Sequence, residues 1–72
     1  MPTINMEQTG VNIKSFRTQM GISIRSIVEQ TGVTERAVCK WQSGKTVPSI
    51  DNLVVLAKIF NVTIDQIVAV DQ

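Results

Sequence analysis

Histidine and tyrosine are absent from the 72 residues, cysteine occurs once (Cys39), and the aromatics are two phenylalanines and one tryptophan. A single cysteine excludes an intrachain disulfide, and without histidine there is no Cys/His set to hold zinc. Long apolar runs are missing too. None approaches the roughly 20 residues that span a bilayer. The first apolar run is too short, and too interrupted by charge, for a signal peptide, so a soluble cytoplasmic protein with no membrane partner is expected. An excess of one charge sign is also lacking: seven basic against six acidic side chains leave +1. Overall basicity therefore does not point to nucleic acid, and any such reading must come from where the charges sit. The acidic residues are scattered, with no carboxylate pair, nucleophile–base pair or metal cluster. No enzyme, no cofactor and no small-molecule ligand are expected.

What is present is 43% hydrophobic residues, with only two prolines and four glycines to interrupt them. A chain this short has a marginal core. With disulfides and metal excluded, helix packing, helped by a partner chain, is the remaining source of stability. There is no repeat and no low-complexity segment.

Residues 1–8 are polar and without clear periodicity, which predicts a flexible N-terminal tail, or at most a short extra turn, ahead of one domain over 9–72. From Thr9 the pattern predicts an all-α fold of five short helices. The first covers about 10–19, with Ile13, Phe16 and Met20 on one face and Gly21 as its stop. Ser23 caps a second over about 24–30, with Ile24, Ile27 and Val28 together, broken by Gly32. Thr34 caps a third over about 35–43, with Val38 and Trp41 inward, closed by Gly44. Ser49 caps a fourth over about 50–60, with Ile50, Leu53, Leu56, Ala57 and Phe60 inward and Asn61 as an αL stop. Thr63 and Gln66 form a capping box for a fifth over about 64–70. Each is too short to persist alone in water, so tertiary burial must hold them.

The segment Ser23–Gly44 carries the functional signal. Two short helices joined by three residues at a steep angle make a helix-turn-helix. The outer face of its second helix is left free, and a helix fits the major groove of double-stranded DNA. With Val38 and Trp41 inward, Thr34, Glu35, Arg36 and Lys40 face outward as candidate base contacts. The planar fork of Arg36 suits guanine O6 and N7, and Glu35 can accept from the cytosine amino group. Lys45 and Thr46 follow the helix, where a lysine and backbone amides could grip a phosphate. Between Ser23 and Thr46 four basic residues (Arg25, Arg36, Lys40, Lys45) face two acidic ones (Glu29, Glu35).

These residues resemble the Cro/CI-type (XRE-type) helix-turn-helix repressors of phages and bacteria, over about 9–70. Arg17, Gly21, Ile22 and Ser23 are similar to the family's first-helix arginine, glycine, hydrophobic residue and cap. Gly32 matches its turn glycine. Trp41-Gln42-Ser43-Gly44-Lys45-Thr46-Val47-Pro48 is similar to the end of its third helix, and Asn61-Val62-Thr63-Ile64-Asp65 to its junction before the fifth. The resemblance implies Ser23, Lys45 and Thr46 at phosphates, Arg17 in a structural role first and at a phosphate as well, and structural roles for Gly32, Val38, Trp41 and Gln42. Three positions depart from the pattern. Ile24 replaces the glutamine that helps bind a phosphate. Val28 replaces alanine, which would space the two helices further apart. Gln42 replaces the acid that pairs with the first-helix arginine, leaving a hydrogen bond to Arg17 in place of a salt bridge.

The expected function is a sequence-specific transcriptional regulator, a repressor by resemblance, bound to its operator as a homodimer. Excess apolar positions at Ile64, Ile67, Val68 and Val70 form a candidate self-association patch. The alternative is a protein-interaction module on the same fold, antirepressor or antitoxin-like, favoured by the low net charge and by Ile24. Ser43-Gly44-Lys45-Thr46 resembles the end of a phosphate-binding loop, but that motif needs a glycine where Cys39 stands and a preceding strand. Cys39 would sit exposed on the DNA face; a redox switch there is the alternative to the favoured reading, a serine-like surface residue.

Overall fold

Every helix opens on a side chain that lends an oxygen to a backbone amide three residues on. Asn5 accepts from Gln8, Ser23 from Ser26, Thr34 from Ala37, Ser49 from Asn52 and Thr63 from Gln66. Each satisfies one of the orphan amides of a helix start. The structure is a computed structural model that describes residues 2–71. Its elements are β1 (Thr3–Ile4), α1 (Met6–Gln19), α2 (Ile24–Thr31), α3 (Glu35–Gln42), α4 (Ile50–Phe60), α5 (Ile64–Ile67) and β2 (Val70–Asp71). The five expected helices are present, with a two-stranded pairing added. The capping box of Thr63 and Gln66 is formed in both directions. Gly32 (φ 78°) and Asn61 (φ 55°, ψ 47°) stop α2 and α4 in the left-handed conformation expected of them. Among the described residues no helix is long and apolar enough to cross a membrane.

The core draws Ile13 from α1, Ile27 from α2, Val38 and Trp41 from α3, Leu53, Leu56, Ala57 and Phe60 from α4, and Ile67 from α5. Phe16 lies over Phe60 with ring centroids 5.9 Å apart. Burying a large aliphatic or aromatic side chain contributes about 1.5–3 kcal/mol, so this one cluster is what holds helices of eight residues or fewer. Two residues expected on inner faces are outside. Met20 is half exposed, because it follows the last turn of α1 as its cap. Ile50 is 70% exposed. It is the first residue of α4, and helical side chains tilt toward the N-terminus, which here carries it past the edge of the core.

The chain ends differ most from the sequence reading. Residues 3–8, expected as part of a flexible tail, are β1 and the first turn of α1, which starts at Met6 rather than near Gly10. Met1 of that tail and Gln72 of the expected domain lie outside the described residues. The fifth helix stops at Ile67 rather than 70, because Val68 is already extended (φ −81°, ψ 120°). The two ends then pair. β1 runs antiparallel to β2, with Thr3 opposite Asp71 and Ile4 opposite Val70. Asn5 N–H donates to Ala69 O (2.9 Å), and Ala69 N–H donates to Oγ1 of the buried Thr9 (3.0 Å). Asn12 Nδ2 donates to Ile67 O (3.0 Å) and Asn5 Nδ2 to Asp71 Oδ1 (3.1 Å).

Candidate nucleic-acid interface

The α2–turn–α3 unit is fixed by backbone bonds at its corner and by apolar side chains beneath it. Gly32 N–H donates to Val28 O (2.8 Å) and the Thr31 hydroxyl to Ile27 O (2.7 Å), ending α2. Val33 packs half-buried on the core, and Thr34 caps α3. Ile24 and Val28 are likewise half-buried against the core. Ile24 thus turns a position that is polar in the resemblance into a packing contact.

With Val38 and Trp41 buried, the opposite face of α3 is open. Glu35, Arg36, Cys39 and Lys40 are all exposed, with the Thr34 cap at one end and Ser43 at the other. The structure therefore brings Thr34, Glu35, Arg36 and Lys40 onto one surface, as the sequence predicted. Cys39 lies exposed on that surface as well, as its position predicted. Its spacing, four residues from Glu35 and three from Arg36, puts all three on one helical stripe.

The residues expected at phosphates lie around this stripe. Arg17 is half-buried between α1 and α3. Its Nε donates to Gln42 Oε1 (2.8 Å) and its Nη1 to Ile22 O (3.1 Å). Both acceptors are neutral, so the guanidinium keeps its full charge and several free donors. Ser23 caps α2 next to it. Lys45 and Thr46 are exposed beyond α3, but their backbone amides are not free. Both donate to Lys40 O (3.0 and 3.4 Å), which also accepts from the Ser43 hydroxyl (3.1 Å). The last carbonyls of a helix need donors, and these amides supply them. Only the side chains of Lys45 and Thr46 remain available, which corrects the expectation of an amide grip.

Charge pairing is sparse here. Among the described residues the ion pair is Arg25 with Glu29, at 3.7 Å between two exposed side chains on α2. Among the described residues no carboxylate holds Arg36, Lys40 or Lys45. Glu35, in the first turn of α3, is the acidic member of the open face, where it suits the helix dipole.

A buried corner under two short helices, with the outer face of the second left open, defines the chain as a helix-turn-helix protein. The helix-turn-helix family profile HTH_3 matches residues 13–67. The chain belongs to this XRE-type helix-turn-helix family, and is a DNA-binding regulator of that class rather than an enzyme. Solved structures agree in fold. The restriction-modification controller protein C.AhdI from Aeromonas hydrophila superimposes with a TM-score of 0.76 at 19% identity, over 86% of this chain and 94% of that one. The BldD DNA-binding domain of S. venezulae gives 0.72 at 21% identity, over 90% and 97%. A transcriptional regulator from Listeria innocua gives 0.80 at 32% identity, over 90% of this chain and 61% of that one. No curated protein sequence matches the chain significantly.

Proposed function

We propose that the chain is a sequence-specific transcriptional regulator that lays α3 in the major groove and binds its operator as a homodimer, acting as a repressor. The observation that carries this reading is the open face of α3: Glu35, Arg36 and Lys40 exposed, the two cations without a carboxylate partner among the described residues, on a helix whose other face is locked into the core. Thr34, Glu35, Arg36 and Lys40 contact base edges, with Arg36 in the first turn the main reader of sequence. Lys45, Thr46, Ser23 and Arg17 contact phosphates. The uncompensated charge of Arg17 supports its place among them, since a phosphate would supply the anion that Gln42 does not. One such unit reads few base pairs, so a two-fold pair on half-sites about one helical turn apart gives a usable site. The relatives described as a controller protein, a DNA-binding domain and a transcriptional regulator support the same reading.

The test is selection of bound sites from random duplex DNA, followed by affinity at several salt concentrations. A regulator of this kind prefers one sequence class, and its log affinity falls linearly with log salt. A weak, sequence-indifferent affinity would favour the protein-interaction reading instead, to which the net charge of +1 lends support.

A further inference from the structure

We propose that Thr9 and Gly10 are positioning residues that couple the C-terminal strand to the placement of α3. Neither faces the open surface of α3, and both are buried. Adjacent in sequence, they face two different partners. Thr9 Oγ1 accepts the amide of Ala69 at 3.0 Å, and Asn5, one turn earlier, donates its amide to Ala69 O at 2.9 Å. The first turns of α1 are thereby tied to the segment that runs into β2. Gly10 faces the last turn of α3. A Cβ there would lie 2.3 Å from Trp41 O and 2.7 Å from Gln42 O. Glu7 meets the same end of α3, its Cα 2.8 Å from where a Cβ of Gly44 would stand.

At Gly10 the contact between α1 and the end of α3 is thus backbone against backbone: the atoms nearest to that position are the carbonyl groups of Trp41 and Gln42. At Gly44 the Glu7 Cα is joined by its Cγ, 3.1 Å from where a Cβ would stand. Trp41 O also accepts the amide of Gly44 (3.2 Å), so a push at Gly10 is delivered to the closing turn of α3. With eight residues, α3 is about 12 Å long. It moves as one body, and displacement at its last turn tilts Arg36 and Lys40 with it. Residues at the chain end then govern how well the helix reads DNA without touching it.

This inference rests on the sequence-reading role proposed for α3, and its test separates the two. Thr9→Val removes the acceptor for Ala69 N–H and keeps the shape; Thr9→Ser keeps the acceptor. Trp41 is the sole tryptophan, so its emission reports the α1–α3 contact without DNA. In Thr9→Val, well below the unfolding midpoint, the Trp41 emission should shift and the Gly44 amide should lose protection from exchange. The affinity ratio of selected to scrambled DNA should fall about three- to tenfold, with the salt slope unchanged, as expected for loss of about one hydrogen bond's worth of placement. Thr9→Ser should restore all three. A lowered midpoint with unchanged Trp41 emission, Gly44 exchange and affinity ratio would overturn the coupling and leave Thr9 a stabilising residue only. If the native chain fails to discriminate DNA, the reading role of α3 falls, and the emission and exchange measurements alone decide the coupling.

Discussion

Arg17 on α1 and Gln42 on α3 stand 25 residues apart in sequence and meet through a 2.8 Å hydrogen bond from Nε to Oε1. The same guanidinium holds Ile22 O at 3.1 Å, just before α2 begins. One side chain therefore ties the first helix to both members of the helix-turn-helix. Its charge is left uncompensated, because an amide oxygen stands where an acid would pair with it.

Gln42→Glu supplies that acid. Both side chains are only half-buried, so a charge-assisted bond here should add up to about 1 kcal/mol. For a domain of this size that is a rise of about 4–8 °C in the unfolding midpoint at most. Thermal unfolding followed by circular dichroism measures it, and an unchanged or lowered midpoint counts against the contact.

Gly10→Ala reverses the usual sign of a helical substitution. Alanine ordinarily stabilises a helix interior over glycine by about 0.5–1 kcal/mol. At this site the added methyl would lie 2.3 Å from the Trp41 carbonyl oxygen. Relief requires α1 and α3 to separate, and overpacking of this kind costs about 1–3 kcal/mol or more. Gly21→Ala is the contrast. Its φ is +66° but nothing lies within 4 Å, so only the left-handed backbone cost of about 1–2 kcal/mol applies. Urea unfolding of both variants should rank Gly10→Ala as the more damaging; the opposite order would refute the close contact.

Reading and positioning should fail differently in the α3 region. Arg36→Ala should cost about 1–3 kcal/mol on the selected site and relax preference at one base pair. Lys45→Ala should weaken all sequences about equally and lower the slope of log affinity against log salt by about one unit. Titration of selected and scrambled duplexes at several salt concentrations distinguishes the two. Uniform loss in both variants would mean that α3 does not read sequence through Arg36.

The apolar patch offered for self-association near the C-terminus is narrower than the sequence suggested. Of the four apolar positions near the C-terminus, Ile67 is buried, Ile64 and Val68 pack on the core, and Val70 is 48% exposed in β2 opposite the equally open Ile4. If the homodimer uses this end, Val70→Lys should abolish it with little change in unfolding midpoint. Sedimentation at high micromolar concentration settles the matter. A native chain that stays monomeric and binds DNA only as a monomer would eliminate the dimer.

The sequence by itself determined that there are five helices and the N-caps of the last four. Ser23, Thr34, Ser49 and Thr63 act on amides three residues away, and Gly32 and Asn61 stop helices through their own backbone freedom. It determined the open face of α3 too, because helical periodicity fixes which residues oppose Val38 and Trp41. Tertiary structure decided what depends on distant segments meeting. Residues 3–8 carry no periodic signal of their own, and they take regular structure because Ala69, Val70 and Asp71 complete their hydrogen bonds. The same pairing draws the chain out of helix after Ile67. The amides of Lys45 and Thr46 were committed by the carbonyl of Lys40, a matter of how the chain turns after α3 rather than of residue type. Gly10 lacks a positive φ and gives no local reason to be glycine. Its reason is the backbone of Trp41 and Gln42 lying against it, a proximity that only the packed α1–α3 pair creates.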